Sequence, residues 1–254
     1  MADSVLVEQA DSVLVISINR PEARNAVNRE VTDAVAAAVD ELDERPDLTL
    51  GVITGTGGTF CAGMDLKAFL AGEDVTLPGR GIAGIVQRPP RKPLIAAVEG
   101  WALAAGCEIA LTCDLIVAAE DARFGLPEVK RGLVAGAGGL LRLPRWLPPA
   151  IAKQLALTGE PMSAVDAHRF GLVNELAPPG HALAAALELA RRITPNGPLA
   201  VQVTKQILDN ATDWTIEEGF VKQGPLLDRI LASEDAREGA TAFAEKRSPV
   251  WTGR

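Results

Sequence analysis

The chain has 254 residues, of which 48% are hydrophobic and 23% are charged, a composition typical of a soluble globular protein with a substantial core. Its formal net charge of −8 disfavours nucleic acid as the main partner. No run approaches the roughly 18 apolar residues that a membrane-spanning helix needs. The first residues also lack the basic start and apolar centre of a signal peptide.

The cysteines and histidines exclude several further classes. Cys61, Cys107 and Cys113 have neither the paired spacing of a zinc site nor the even number of a disulfide framework. We therefore expect the three cysteines to be reduced thiols, as in a cytoplasmic protein. His168 and His181 lack the spacing of metal ligands and no nucleophile elbow is present, so we expect neither a metal site nor a Ser-His hydrolase.

Predicted strands and helices alternate along the first 180 residues, which indicates an α/β fold. Hydrophobic patterning predicts strands at residues 4–9, 12–19, 48–55, 94–100, 114–120 and 172–176. It predicts helices from the N-cap Asn28 to about 44, at 65–71 and 80–87, from about 104, and at 140–147, 149–158 and 163–170.

The remainder of the chain is predicted to be helical, at 181–194, 198–212, 215–232 and 234–246. The change from alternating strands and helices to helices alone predicts a domain boundary at about 190–200. We therefore predict a core that contains the active site at 1–195 and a helical C-terminal region at 196–254.

Two glutamates are candidates for acid–base chemistry. Glu108 lies in the small and apolar run AAGCEIAL, and Glu128 follows Pro127 in FGLPEV. A carboxyl group among apolar neighbours tends to have a raised pKa, which suits proton transfer near neutral pH, and two such groups could hold one water. Each also has an ordinary interpretation: Glu108 could reach solvent or an arginine, and Glu128 could be a loop residue or the acidic first turn of a helix.

Two small-residue segments could supply backbone donors beside these carboxyls. The loop GGTFCAGMDL (57–66) and the helix start at Ala104-Ala105-Gly106 would place the N–H groups of Met64 and Ala105 where they could bind a developing oxyanion. The glycine run at 134–139 lacks the lysine and hydroxyl residue of a phosphate loop and the preceding strand of a dinucleotide site. We interpret it as close helix packing beside the active site.

Four segments together resemble the crotonase family, the enoyl-CoA hydratase and isomerase superfamily. They are NRPEARNAVN (19–28), CAGMDL (61–66), the long stretch at 96–139 and LTGEPMSAVDAHRFGLVNEL (157–176). The resemblance implies a β-β-α spiral core with a helical C-terminal oligomerisation region. It maps the family's catalytic glutamates onto Glu108 and Glu128 and its oxyanion amides onto Met64 and Ala105. The chain departs from the family at Ala104-Ala105-Gly106, where many members have three glycines.

The resemblance also implies a ligand and partners. The stretches at 141–159 and 238–254 are similar to the carnitinyl-CoA dehydratase (crotonobetainyl-CoA hydratase) branch. Coenzyme A would enter as part of the substrate, with no separate cofactor, and the chain would form trimers or hexamers. The residues implied to contact CoA or substrate are Arg24, Ala26, Ala62, Asp65, Leu66, Phe243 and Lys246.

Several of these residues have other interpretations. Arg24 could be an ordinary surface arginine, whereas Phe243 and Lys246 could simply end an amphipathic helix. Asp65 and Asp114 are predicted to cap or anchor their segments.

The predicted function is reversible hydration of an α,β-unsaturated acyl-CoA thioester. An isomerase or another acyl-CoA enzyme of the family is an alternative, as is a non-catalytic member that binds acyl-CoA or RNA. The presence of both glutamates favours a hydratase, and together with the acidic net charge it disfavours RNA binding.

Overall fold

The computed structural model describes residues 3–254 and has the predicted α/β organisation. The strands are β1 (Val5–Ala10), β2 (Val13–Ile18), β3 (Leu50–Gly55), β4 (Thr76–Leu77), β5 (Gly81–Ile82), β6 (Leu94–Val98), β7 (Trp101–Leu103), β8 (Leu115–Ala119), β9 (Arg123–Gly125), β10 (Met162–Ser163) and β11 (Glu175–Ala177). The α-helices are α1 (Arg29–Glu44), α2 (Leu66–Leu70), α3 (Ala105–Ala110), α4 (Gly139–Trp146), α5 (Pro149–Thr158), α6 (Ala164–Arg169), α7 (Ala182–Ile193), α8 (Pro198–Ala211), α9 (Ile216–Leu231) and α10 (Glu234–Glu245). Short 3-10 helices span Pro21–Ala23 and Pro127–Arg131.

A central six-stranded sheet has the order β1-β2-β3-β6-β8-β11. Only the β1–β2 hairpin is antiparallel, and the other neighbours pair in parallel. Helix α1 packs against β1, β2 and β3, while α7 packs against β3, β6, β8 and β11. All residues of β2 and β6 are buried, as expected for strands in a largely parallel sheet covered on both faces.

A second, three-stranded sheet of order β10-β9-β7 positions the candidate site. Strands β7 and β9 are parallel, with Leu103 opposite Gly125, and each leads directly into a segment that carries a candidate glutamate. The preceding loop is attached to this sheet by a bridge between Cys61 and Ala102. Hydrophobic patterning did not predict these strands, because two or three residues are too few to show a period.

Two predictions about secondary structure are wrong. No helix forms at 80–87, because Gly81, Ala83 and Gly84 have φ values of +74°, +53° and +65°, in the left-handed region. The apolar residues that suggested a helix are buried instead in a short hairpin and the turns that follow it. The strand predicted at 172–176 begins only at Glu175.

The four C-terminal helices α7 to α10 begin and end within one residue of their predicted limits. Helix α8 is tied to the central sheet by a salt bridge of 2.6 Å between Lys205 Nζ and Asp114 Oδ2. The end of the chain returns to α10, where the buried Asp235 accepts hydrogen bonds from the N–H groups of Thr252 and Gly253. The division into units at 1–195 and 196–254 remains a prediction.

Residues 3–254 include no helix whose length and apolar character would let it cross a membrane. Within the same range, no three His, Cys, Asp or Glu side chains cluster in a way that could hold a metal ion.

Candidate active site

The start of α3 is shaped by close approach of two backbone segments. A Cβ at Gly106 would lie 2.1 Å from Cys61 O, so only glycine fits there. Ala104, the residue before the helix, has φ 50° and ψ −126°, a conformation that L-residues rarely adopt. A glycine would take this conformation without strain, so the alanine at this position carries a conformational cost.

Helix α3 buries Glu108 and fixes one of its carboxylate oxygens. The residue is 2% exposed, and Oε1 accepts hydrogen bonds from Ala137 N (2.8 Å) and Gly139 N (2.9 Å). The close packing predicted for the glycine run is found at Gly139, where a Cβ would lie 2.8 Å from Glu108 Cγ, but not at Gly136, where a Cβ would approach nothing closer than 3.8 Å. Sequence reasoning missed the second role of this run, which is to donate two N–H groups to the carboxylate.

Glu128 reaches the same cavity from the 3-10 helix Pro127–Arg131, which follows β9. Ala104 N donates to Gly125 O (2.9 Å), so the two segments that carry the glutamates are joined at their starts. Glu128 Oε2 is the one buried side-chain oxygen or nitrogen in residues 3–254 that has no hydrogen-bond partner. A buried polar atom of this kind usually indicates a missing ligand or water.

Burial raises the pKa of both glutamates. For Glu108, burial is the largest cause, and the hydrogen bonds from Gly139 and Ala137 and the charge of Arg142 act to lower the pKa. For Glu128, burial is the largest cause, and the charge of Glu108 raises the pKa further. Two carboxyl groups with raised pKa in one cavity are suited to proton transfer near neutral pH.

The N–H groups of Met64 and Ala105 lie outside the hydrogen bonds of their local secondary structure. Val27 N donates to Gly63 O (2.8 Å) and Asp65 N donates to Val27 O (2.9 Å), which leaves the N–H of Met64 outside this parallel bridge. Ala105 is the first residue of α3, so its N–H has no acceptor within the helix. Both residues line the cavity that contains the glutamates.

The cavity has a volume of about 390 Å³ and a mainly apolar wall. Leu66, Phe69, Val75, Ile82 and Val86 line it. Most of these residues come from the segment at 69–87. The irregular course of this segment gives no periodic signal in the sequence, but the family resemblance implies that residues 65–91 shape the acyl pocket.

Arg131, an exposed residue, also lines the cavity, although sequence analysis did not single it out. It follows Glu128 by three residues in the same 3-10 helix. Proximity to Glu128 in the sequence was the one available signal, and it did not indicate which way the side chain points.

The predicted CoA-binding residues are partly brought to the cavity. Ala62 and Leu66 line it, whereas Asp65 caps α2 through Lys67 N (3.0 Å) and pairs with Arg20 (3.0 Å), which confirms its predicted capping role.

Arg24 and Ala26 lie in the loop beside Ala62, whose N–H donates to Arg24 O (3.0 Å). Phe243, which is 88% exposed, and Lys246 lie at the end of α10 and do not line the cavity of their own chain. A contact of these four residues with CoA remains a prediction.

Comparison with known proteins gives a consistent result. Residues 8–254 match the sequence profile described as enoyl-CoA hydratase/isomerase. The chain is 41% identical over 262 residues to the carnitinyl-CoA dehydratase of Salmonella typhi, with 100% of both chains covered. Its fold matches the crystal structure of enoyl-CoA hydratase EchA1 from Mycobacterium marinum with a TM-score of 0.97, over 99% of this chain and 100% of that one. The two sequences are 59% identical. The chain is 48% identical to carnitinyl-CoA hydratase from Mycobacterium avium, with a TM-score of 0.81 over 100% of both.

Proposed function

Because the chain belongs to the enoyl-CoA hydratase/isomerase family, we propose that it is a hydro-lyase that adds water reversibly across the 2,3 double bond of an enoyl-CoA thioester. The family resemblance and the fold class expected from the sequence motifs are both confirmed by the comparisons. The observation that carries the proposal is the pair Glu108 and Glu128, which line one cavity while Glu128 Oε2 has no partner within the described chain.

The proposed mechanism begins with polarisation of the thioester carbonyl. The N–H groups of Met64 and Ala105 donate to the carbonyl oxygen and stabilise the negative charge that it gains as water adds at Cβ. Each donor of this kind is typically worth roughly 10² to 10³ in rate. The geometry supports this role because both N–H groups are left without an acceptor by their local secondary structure.

The two glutamates divide the proton transfers. Glu108 accepts two backbone N–H bonds and lies near Arg142, which favour its charged form, so we assign it as the base that takes a proton from water. The pKa of Glu128 is raised by burial and by the charge of Glu108, so we assign it as the acid that donates a proton to Cα. The reverse reaction exchanges these roles.

The proposed reaction uses only groups of the chain and of the thioester, with CoA as the carrier on the substrate and no further cofactor. Two carboxyls in one cavity support a hydratase over an isomerase, because a double-bond shift needs only one group to move a proton between carbons. An acidic chain with both carboxyls in place also argues against RNA as the ligand.

We also propose that the chain forms trimers or hexamers. Ile216, Phe220, Leu227 and Leu231 recur at helical spacing on α9 and are exposed in the single chain. An exposed apolar stripe of this length indicates a protein interface. In such an assembly Phe243 and Lys246 would be available to the CoA of a neighbouring subunit. Light scattering would show a monomer for Phe220→Glu if this stripe forms the interface.

A cytoplasmic location is proposed from the cysteines. Cys61, Cys107 and Cys113 are buried free thiols, as is usual for proteins of a reducing compartment.

The function is tested by following loss of absorbance of the conjugated enoyl thioester. Wild-type protein should hydrate crotonyl-CoA or hex-2-enoyl-CoA, and Glu108→Gln and Glu128→Gln should each reduce kcat by about 10² to 10⁴. Calorimetry should show that both variants still bind the saturated thioester. Turnover at the wild-type rate in both variants would refute the assignment.

A further inference from the structure

We infer that the cavity selects an uncharged, apolar acyl chain over one that carries a quaternary ammonium group, and that Arg131 enforces this choice. The inference rests on the proposed function, because it concerns which enoyl group the two glutamates receive. The relatives named above include both enoyl-CoA and carnitinyl-CoA enzymes, so the choice distinguishes two chemical classes of substrate.

The wall of the cavity offers apolar contacts. Val75, Ile82 and Val86 are buried and line it, with Leu66 and Phe69 beside them. Burial of each methylene against such a wall improves binding by about fourfold. An apolar chain therefore gains affinity as it lengthens until the cavity is filled.

Arg131 places a positive charge on the wall beside Glu128. In a 3-10 helix the side chains at positions i and i+3 lie on the same face, so Arg131 lies alongside Glu128. Among residues 3–254, the guanidinium has one hydrogen-bond partner, Pro127 O, at the long distance of 3.5 Å. Within residues 3–254 no carboxylate forms a salt bridge with this exposed guanidinium.

A quaternary ammonium substrate would bring its own charge to this place. In a 4-trimethylammonio-2-enoyl thioester the nitrogen is two bonds from Cβ, the carbon to which the water held by Glu108 and Glu128 adds. The cation would therefore lie next to Glu128 and Arg131. Arg131 repels this cation, because its guanidinium carries a charge of the same sign.

The aromatic lining does not compensate for this repulsion. Quaternary ammonium groups are usually held by several aromatic faces. Among the described residues that line the cavity, Phe69 is the one aromatic side chain, and it is half exposed. The apolar wall and the free guanidinium thus act in the same direction, in favour of a neutral chain.

A pair of substrates that differ only in charge tests the inference. Crotonobetainyl-CoA carries the trimethylammonium group, and 5,5-dimethylhex-2-enoyl-CoA has a carbon in place of the nitrogen, with the same shape. Wild-type protein should show a kcat/KM at least about tenfold higher for the neutral thioester. Hex-2-enoyl-CoA serves as the reference for basal activity.

Variants assign the effect to Arg131. Arg131→Gln should lower the neutral-to-cationic ratio by about tenfold. Lys130→Gln is the matched control, because it removes the same charge from the adjacent residue, which is exposed and does not line the cavity. It should leave the ratio unchanged.

Each outcome decides a separate point. Equal or faster turnover of crotonobetainyl-CoA by wild type would overturn the inference while the hydratase function stands, and an unchanged ratio in Arg131→Gln would overturn the role of Arg131. If no thioester is consumed, the proposed function fails. The preference is then decided by calorimetric binding of the saturated pair, 4-trimethylammoniobutyryl-CoA and 5,5-dimethylhexanoyl-CoA, where equal affinity or a preference for the cation would overturn it.

Discussion

Gly139→Ala tests whether the glycine run at the start of α4 positions the carboxyl of Glu108, the proposed base. The N–H of Gly139 donates to Glu108 Oε1 at 2.9 Å. A Cβ on this residue would lie 2.8 Å from Glu108 Cγ and 3.0 Å from Oε1. The added methyl group would therefore meet the very side chain that the N–H holds in place.

The size of the effect follows from these distances. Ordinary van der Waals contact begins at 3.4 Å, so Glu108 or the start of α4 must move by about 0.6 Å. A misplacement approaching 1 Å at a reacting group can cost about 10² in rate. Overpacking of this kind also costs about 1–3 kcal/mol of stability. We expect kcat to fall by about 10²-fold and Tm to fall by several degrees.

The assay is enoyl-CoA hydration together with thermal unfolding. Gly136→Ala is the matched control, because it lies in the same glycine run and lines the same cavity, yet a Cβ there would approach nothing closer than Val134 O at 3.8 Å. It should retain nearly full turnover. The proposed role of Gly139 is refuted if Gly139→Ala turns over as fast as Gly136→Ala while both remain folded.

Three further predictions concern stability. The pKa of Glu128 is raised in the folded state, so its carboxyl group stabilises the fold at low pH and this contribution is lost as pH rises above the ordinary glutamate pKa of 4.5. Glu128→Gln should therefore raise Tm at about pH 8 and change Tm little at about pH 4. Differential scanning fluorimetry at the two pH values measures this. Ala104→Gly should raise the free energy of unfolding in urea by about 1 kcal/mol because it relieves a positive φ. In contrast, Ala105→Gly should lower the free energy of unfolding by about 0.5–1 kcal/mol, because Ala105 lies within α3 and glycine destabilises a helix. Asp114→Asn should lower the free energy of unfolding by about 3 kcal/mol, because it removes the carboxylate charge that pairs with the partly buried Lys205 ammonium. A loss below about 0.5 kcal/mol would contradict that account.

Local sequence patterns determined much of the scaffold. The apolar residues of α1 recur at helical spacing behind the N-cap Asn28, whose side chain accepts from Val31 N (3.0 Å) as predicted. The helices from residue 181 onward were also predicted to within one residue at each end. These elements could be predicted because their caps and apolar spacing lie within a few residues of one another along the chain.

The candidate glutamates and their acid–base chemistry were predicted from the sequence, but the contacts that bring them together and tune them could not be. Both glutamates lie in recognisable motifs, whereas the raised pKa of each depends on its burial, and that of Glu128 depends also on the charge of Glu108. Their meeting depends on the short β7–β9 pair, in which Leu103 lies opposite Gly125.

Only the tertiary structure decided the irregular segment at 80–87 and the composition of the cavity wall. The spacing of Ile82, Ile85 and Val86 suggested a helix, yet left-handed residues between them turn the chain so that all three are buried without one. The contact of the Gly139 N–H with Glu108 and the position of Arg131 at the cavity have a similar cause. Such placements depend on contacts between segments far apart in the sequence, and one-dimensional periodicity carries no record of those contacts.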